Sequence, residues 1–158
     1  MYSISSENTP KLSGEILVPG DKSISHRALI LGSMVNGRIE IKNLLESEDV
    51  IATANALKTL GVTIKNFKNK WEICGQGIGS FSGSNYLLNM GNSGTAARLL
   101  MGVVAGSDVE ATFTGDESLS KRPMRRVILP LLKTGAMFKE PDKDTLPITL
   151  RGNKIPLP

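Results

Sequence analysis

The sequence predicts an α/β fold built from two copies of a strand-helix-strand-helix-strand-strand unit. Helical stripes of apolar residues alternate along the chain with short segments in which every second residue is apolar, a pattern typical of helices and half-buried strands. The same order recurs in the second half, where Gly91 opens a helix as Gly20 does and Gly135 ends one as Gly61 does. Because this period is longer than the repeats of solenoid proteins, we interpret it as two copies of one compact unit.

The length and composition indicate one domain or a piece of a larger one. Of the 158 residues, 40% are hydrophobic and 22% are charged, which provides enough apolar material for a packed core. The net charge of +4 suits anionic small molecules as well as nucleic acid. Aromatic residues make up only 4%, and no basic run is interleaved with them, so we expect no nucleic-acid partner.

The single cysteine and the single histidine exclude further classes of protein. Cys74 and His26 cannot by themselves build a disulfide framework or a zinc site. No apolar run is long enough to span a membrane, and residues 1–14 lack the apolar centre of a signal peptide. We therefore expect a cytoplasmic protein with no metal and no membrane partner.

The first unit is expected over residues 14–83, after a polar lead-in segment over residues 1–13. Its first helix begins near Ser23, with Asp21 or Ser23 as the N-cap, and ends near Asn36. The remaining elements are strands over 14–18, 38–42, 62–66 and 71–74, a second helix between Ser47 and Gly61, and a closing loop over 75–84.

The second unit is expected over residues 84–158. A glycine-rich turn at 91–95 leads to a helix over 96–105, and a polar loop over 115–122 leads to a helix whose first residue is Pro123. The inner face of this last helix is expected to consist of Met124, Val127, Ile128, Leu131 and Leu132. The strands are expected over 86–89, 109–114, 136–139 and 146–151.

Cations lie where the first helix begins, although a helix N-terminus already carries a positive partial charge. Lys22 and Arg27 occupy its first turns, with His26 beside them. Each exposed cation there costs about 0.3–1 kcal/mol unless an anion compensates it. Ser23 and Arg27 are four residues apart and share a helix face, so a hydroxyl and a guanidinium can meet one phosphate or carboxylate. The alternative is a solvated basic helix start.

The turn at 91–95 occupies the same place in the second unit. Its small residues let a ligand approach the backbone N–H groups at the start of the next helix. That helix is apolar nearly all round, which implies burial, and it contains Arg98. Because a buried guanidinium must be paired or must face a ligand, Arg98 is a candidate for anion binding, and an ion pair inside the protein is the alternative.

A third group of cations surrounds the start of the last helix. Arg122, at the expected cap position, is the better candidate for contact with a ligand, whereas Arg125 and Arg126 are expected to form a solvated face. We expect Asp116 to face solvent and Asp49 to compensate the dipole of its own helix. No Ser-His-Asp, Cys-His or paired-carboxylate arrangement is evident.

Four segments together resemble one enzyme family. They read GDKSISHR at 20–27, LLESEDV at 44–50, GNSGTAAR at 91–98 and GDESLSKRPM at 115–124. In this order and at these spacings they closely resemble the EPSP synthase family, the 3-phosphoshikimate 1-carboxyvinyltransferases. The resemblance runs from about Gly14 to the end of the chain.

The resemblance implies a fold of two similar domains, each an inside-out α/β barrel of three βαβαββ units with the helices at its centre. This chain would supply two of the three units of one domain, over residues 14–158, and residues 1–13 would come from the other domain. Family members continue into a third unit and the second domain, which carry the groups that transfer protons. We therefore expect an N-terminal fragment that is inactive alone.

The resemblance also implies a reaction of the shikimate pathway toward chorismate and the aromatic amino acids. The enolpyruvyl group of phosphoenolpyruvate is transferred to the 5-hydroxyl of shikimate 3-phosphate, and phosphate is released, with no metal or organic cofactor. Lys22 is the one candidate for a catalytic role, and His26 would pack or form hydrogen bonds. Shikimate 3-phosphate would be bound by Lys22, Ser23 and Arg27, and phosphoenolpyruvate by Lys22, Asn92, Gly94, Arg98 and Arg122.

Two alternatives remain open. A UDP-N-acetylglucosamine enolpyruvyl transferase would share the fold, but its Lys-Asn substrate motif is absent, because Ser23 follows Lys22 here. A non-catalytic anion-binding module would use the same helix starts and would need no second lobe.

Overall fold

The computed structural model describes residues 3–8, 11–68 and 70–155 and shows a mixed α/β fold. The first half contains α1 (Lys22–Met34), β1 (Asn36–Lys42), α2 (Glu48–Thr59), β2 (Thr63–Phe67) and β3 (Lys70–Gln76). The second half contains β4 (Ser82–Asn89), α3 (Gly94–Ala105), β5 (Asp108–Thr114), α4 (Glu117–Ser120), α5 (Arg125–Lys133), β6 (Met137–Phe138) and β7 (Ile148–Arg151).

The strands form two sheets, one in each half of the chain. In the first sheet β3 lies between β1 and β2 and is antiparallel to both, with Ile73 opposite Ile39 and Ile64. In the second sheet the order is β4-β5-β7-β6, where β4 and β5 are parallel and β7 is antiparallel to β5 and β6. The order β1-β3-β2 thus matches β5-β7-β6, and β4 is the additional strand of the second half.

The strand predicted over residues 14–18 is wrong for this structure. These residues form no strand, and Ile16 and Leu17 are 84% and 96% exposed. In the second half, β4 precedes α3 and covers the edge of β5, whereas the equivalent edge of β1 has no neighbour among the described residues. An apolar extended segment becomes a strand only when another strand pairs with its N–H and C=O groups, and local sequence does not supply that partner.

One apolar core joins the two halves of the chain. Helix α1 packs on β3 and α2, α2 also packs on α3 and β4, and α3 packs on β5 and α5. The fully buried side chains include Leu29, Leu57 and Ile73 in the first half and Leu100 and Phe113 in the second. Each side chain of this size contributes about 1.5–3 kcal/mol when it is buried. Because α2 belongs to both packing groups, it holds the starts of α1 and α3 in a fixed relation.

The last two helices differ from the prediction at their N-termini. Residues 115–122, which were predicted to form a loop, contain the one-turn helix α4, because the Asp116 carboxylate caps it by accepting a hydrogen bond from the Leu119 N–H at 2.7 Å. Helix α5 begins at Arg125 rather than at Pro123. No side-chain hydrogen bond caps α5, and the Met124 N–H instead donates to the carbonyl oxygen of Asp144 at 2.6 Å, a long-range contact that apolar periodicity does not encode.

The inner face predicted for α5 is only partly buried. Met124 and Ile128 are buried, and Val127 and Leu131 pack against the core while remaining partly exposed. Leu132 is exposed, so its assignment to the inner face is wrong. Helix α5 lies at the end of the row α1-α2-α3-α5, where only α3 packs against it among the described helices, so part of its apolar surface has no partner. The other predicted elements agree with the structure to within a few residues.

Candidate functional site

The start of α1 exposes the three side chains Lys22, Ser23 and Arg27. Asp21 has an extended backbone, and its carboxylate accepts a hydrogen bond from the Ile24 N–H at 2.7 Å, so Asp21 rather than Ser23 is the N-cap. This cap frees the Ser23 hydroxyl for other partners. The three predicted ligand residues of this helix therefore stand together on the solvent side of its first two turns.

Two buried polar side chains anchor this part of α1. The Ser25 hydroxyl donates to the carbonyl oxygen of Asp21 at 2.7 Å and accepts from the Leu45 N–H at 3.0 Å, which ties the helix start to the segment after β1. His26 is fully buried, and its Nδ1 lies 2.7 Å from the hydroxyl of Thr53 on α2. The hydrogen-bonding role expected for His26 agrees with this contact.

Burial lowers the pKa of His26 below its ordinary value. The negative charge of Asp49 opposes this shift, and the positive charge of Lys22 adds to it. The imidazole is therefore neutral near pH 7, as expected for a histidine that packs between two helices.

Lys22 forms an ion pair with Asp49, in the first turn of α2. The Lys22 side chain remains 50% exposed, so a ligand can reach it. Asp49, which was expected only to compensate the dipole of its own helix, therefore has a partner on α1 that was not predicted. No local signal identifies the pair, because it depends on how α1 packs against α2.

The start of α3 is shaped by a turn that requires glycine. Gly91 has a φ of 54°, which side chains disfavour, and its N–H donates to Oδ1 of Asn89 at 2.9 Å. The Ser93 hydroxyl then caps α3 by accepting a hydrogen bond from the Ala96 N–H at 3.2 Å. Helix α3 consequently begins at Gly94, two residues before its predicted start, and its first turn faces the loop that precedes α5.

Two guanidinium groups converge on Gly94. A Cβ atom added at Gly94 would lie 3.0 Å from Nη1 of Arg98 and 3.5 Å from Nη1 of Arg122. The Nε atom of Arg98 is buried and has no hydrogen-bond partner among the described residues. Desolvation lowers the pKa of Arg98, and the charges of Arg126 and Arg122 lower it further. The ion pairs that the described residues form do not include Arg98, so the alternative of an internal ion pair is not supported.

Asn92 links Arg122 to Asp116. The Asn92 Nδ2 donates to Oδ2 of Asp116 at 2.6 Å, and Nη2 of Arg122 donates to Oδ1 of Asn92 at 2.6 Å. The hydrogen bond from Asn92 lowers the pKa of Asp116, and the Leu119 N–H contributes to the same shift. Asp116 is exposed, as expected, and its carboxylate also orients the Asn92 amide that holds Arg122.

Two further cations near this turn behave differently. Arg126 is exposed, as expected for a solvated face, yet its charge acts on Arg98 and adds to the positive potential there. Lys121 instead forms an ion pair with Glu117 at 2.6 Å. The charge of Arg126 thus adds to that of Arg122 where α5 packs on α3.

The start of α1 and the turn before α3 each lie beside the start of α2. Asp49 pairs with Lys22, and Glu48, one residue earlier, lines a cavity of about 380 Å³ together with Gly91. A larger open cleft, of about 1020 Å³, lies beside Trp71 and contains none of the predicted site residues. Lys22 and the turn before α3 thus each adjoin α2, and the predicted site residues line neither of these two cavities.

The starts of α1 and α3 are suited to bind anions. Helix starts supply N–H groups, and the guanidinium groups of Arg27, Arg98 and Arg122 supply charge that no carboxylate of the described residues neutralises by an ion pair. Those residues bring together no group of three or more His, Cys, Asp or Glu side chains that could hold a metal ion. The helices they form include none that is long and apolar enough to span a membrane.

The sequence matches one family over nearly its whole length. The family model described as EPSP synthase (3-phosphoshikimate 1-carboxyvinyltransferase) matches residues 6–157. A 3-phosphoshikimate 1-carboxyvinyltransferase of Parvibaculum lavamentivorans is 49% identical over 157 residues, which cover 99% of this chain and 35% of that protein. The enzyme of the same name from Zymomonas mobilis is 51% identical over 148 residues, which cover 93% of this chain and 33% of that protein.

Solved structures show the same similarity. An EPSP synthase structure from Acinetobacter baumannii superposes with a TM-score of 0.82 and 39% identity, over 89% of this chain and 32% of that one. A second structure of EPSP synthase from the same organism gives a TM-score of 0.80 and 38% identity with the same coverage. The chain thus spans about a third of the length of the relatives that it matches.

Proposed function

The chain belongs to the EPSP synthase family, and on that premise we propose that it forms the substrate-binding N-terminal third of an enzyme that joins phosphoenolpyruvate to shikimate 3-phosphate. In this reaction the 5-hydroxyl of shikimate 3-phosphate takes the enolpyruvyl group, and phosphate leaves. One observation carries the proposal: the guanidinium groups at the start of α3 converge on Gly94 without a carboxylate partner. Such a cluster is stable when an anion occupies it.

Shikimate 3-phosphate is proposed to bind at the start of α1. Ser23 and Arg27 lie on one face of the helix, so a hydroxyl and a guanidinium can hold one phosphate group. Lys22 stands beside them and forms an ion pair with Asp49. A phosphate carries nearly two negative charges and three acceptor oxygens, so it can compete with the single charge of the Asp49 carboxylate for the ammonium group.

Phosphoenolpyruvate is proposed to bind at the start of α3. Gly94 leaves space next to Nη1 of Arg98 and Nη1 of Arg122, where a phosphate or a carboxylate would meet both cations. Asn92 holds Arg122 in place, and Lys22 would reach the same ligand from α1. Donors that are already oriented stabilise the charge that develops on the leaving phosphate without further rearrangement.

The rest of the protein is proposed to complete the reaction. Described residues at the two helix starts bind and orient anions, and the family resemblance assigns proton transfer to the part that follows. We therefore propose that the chain binds substrates and does not catalyse the reaction alone. No cofactor is proposed, and we infer a cytoplasmic location from the same resemblance.

The repeat supports a finer proposal for the fold. Residues 14–83 and 84–158 are proposed to be two of the three βαβαββ units of one domain, and residues 1–13 to belong with the other domain. Helix α1 leaves Ile24 and Leu31 exposed, and α5 leaves Leu129 exposed, at opposite ends of the helix row. A third unit with two more helices would cover both ends.

Calorimetric titration with shikimate 3-phosphate tests the proposal. Arg27→Ala is expected to weaken binding by more than tenfold, which corresponds to about 1.4 kcal/mol. Arg38→Ala is the matched control, because it removes the same charge from an exposed side chain on β1 that pairs with Glu72. Equal weakening by both variants, or tight binding that Arg27→Ala leaves unchanged, would contradict the proposal.

A further inference from the structure

Two polar contacts cross the interface between α1 and α2 at the same spacing. Lys22 pairs with Asp49, and one turn further along both helices His26 is hydrogen-bonded with Thr53 at 2.7 Å. Lys22 and His26 are four residues apart on α1, and Asp49 and Thr53 are four residues apart on α2. Residues at this spacing share a helix face, so the contacts form two successive cross-links along one seam.

The inner cross-link is buried, whereas the outer one is partly exposed. His26 and Thr53 are both fully buried, whereas Lys22 is half exposed. A buried side chain in close packing has few alternative rotamers, so the imidazole can fix the height and rotation of α1 on α2. With α1 held in this way, the Lys22 side chain lies opposite Asp49, and the outer ion pair can form.

The hydrogen bond between His26 and Thr53 distinguishes the imidazole from an apolar side chain at the same position. The Nε2 atom is buried and has no partner among the described residues, which is unfavourable for a polar atom. An aliphatic side chain would fill the same space without leaving such an atom unpaired. The imidazole at this position therefore has one contact that an apolar residue could not make, and that contact is Nδ1 with the Thr53 hydroxyl.

The exposed ligand face depends on the same seam. Ser23 and Arg27 directly follow Lys22 and His26 in the sequence, so a rotation of α1 about its axis moves the whole ligand face together. A displacement of about 1 Å is enough to disturb a site that relies on aligned groups.

We propose that His26, acting through Thr53, is a positioning residue that sets the place of Lys22 and thereby the affinity of the α1 helix start for its anionic ligand. The statement about the ligand rests on the proposed function, whereas the statement about Lys22 does not. His26 touches no substrate in this proposal, and its effect is transmitted by the register of α1 on α2.

The first test needs no substrate. The side-chain nitrogen of Lys22 is followed by NMR in the ligand-free chain, and Asp49→Asn gives the reference signal for a lysine whose ion pair is lost. His26→Leu and Thr53→Val each remove the inner hydrogen bond while nearly keeping the side-chain volume. In both variants the chemical shift of the Lys22 side-chain nitrogen should move most of the way to the value in Asp49→Asn. His26→Asn keeps a polar atom near the position of Nδ1 and should leave the signal near that of the unaltered chain.

Ser33→Ala is the matched control for a general loss of stability. Ser33 is also a fully buried polar residue of α1, but its hydroxyl donates to the Ile30 carbonyl oxygen at 2.6 Å within the same helix. This variant should leave the Lys22 signal unchanged. If His26→Leu does not fold, Thr53→Val carries the test from the other side of the same hydrogen bond.

The second test measures affinity for shikimate 3-phosphate in the same variants. We expect a loss of about tenfold for His26→Leu and Thr53→Val, and less than twofold for His26→Asn and Ser33→Ala. A Lys22 signal that stays in place in both His26→Leu and Thr53→Val would overturn the proposal. A chain that binds no shikimate 3-phosphate while its Lys22 signal responds as expected would instead contradict the proposed function.

Discussion

Gly94→Ala places a methyl group between the two arginines of the α3 site. The added Cβ would lie 3.0 Å from Nη1 of Arg98 and 3.5 Å from Nη1 of Arg122. Both neighbours are the ends of flexible side chains, so they can move aside without a shift of the backbone. The methyl group would then occupy space that the ligand's anionic group needs.

The two expected effects of this substitution have opposite signs. Alanine is a better helix former than glycine by up to about 1 kcal/mol, so the stability of the chain should stay constant or rise. Binding should weaken, because at least one guanidinium must turn away, and a hydrogen bond to a charged group contributes about 1.5–3 kcal/mol. That range corresponds to a loss of affinity for phosphoenolpyruvate of about 10- to 100-fold.

Gly102→Ala supplies a control within the same helix. A Cβ atom at Gly102 meets no described atom within 4 Å, so it should bring the gain in helix propensity without an effect on binding. A gain near 1 kcal/mol raises the melting temperature by about 2–4 °C in a chain of this size. Titration calorimetry and thermal unfolding by circular dichroism measure the two quantities. Unchanged affinity in Gly94→Ala would refute the reasoning, as would an equal loss in Gly102→Ala.

Three further predictions concern the network, the pH dependence and the open helix row. Asp116→Asn keeps one side-chain oxygen, which can cap α4 through the Leu119 N–H, but it replaces the second oxygen, which accepts from Asn92, by an NH2 group. Asp116→Asn should therefore weaken phosphoenolpyruvate binding several-fold while α4 stays capped, and unchanged affinity in calorimetry would contradict this. Burial holds the pKa of His26 below its ordinary value of about 6.5, so the unfolded chain binds the extra proton and stability should be lost as the pH falls from 7 toward 5. Thermal unfolding at pH 7 and pH 5 should show that His26→Asn loses less stability between the two pH values than the unaltered chain does. An equal loss of stability in both would contradict the assignment of this pH dependence to His26. Because Ile24 and Leu31 are 65% and 61% exposed on α1, the chain should self-associate in light scattering, and replacing both by Lys should reduce it; a stable monomer before substitution would refute this.

Local patterns were sufficient for most of the fold. The apolar stripe of α2, its stop at Gly61 and the alternation of β5 each reflect backbone geometry within a few residues, and both elements lie where they were predicted. The N-cap at Asp21 was predictable for the same reason, since its partner, the Ile24 N–H, is three residues away.

Local patterns failed where an element needs a distant partner. Residues 14–18 have the composition of a strand and no strand beside them in this structure. The inner face of α5 was overestimated at Leu132, because only α3 among the described helices packs on that helix. In both cases the segment itself is compatible with the prediction, but the neighbouring elements decide whether a strand forms or a side chain is buried.

The sequence by itself determined that cations would stand at the helix starts, because glycine turns, caps and apolar stripes place those starts within a few residues. It also determined the family, because the motifs at 20–27, 91–98 and 115–124 occur in order. Only the tertiary structure decided that Asp49 holds Lys22, since that contact crosses between helices whose packing direction is set by the shared core. For this reason the contacts of Asp49 and Asp116 around the cations could be found only from the fold, whereas a packing or hydrogen-bonding role for His26 was expected from the sequence.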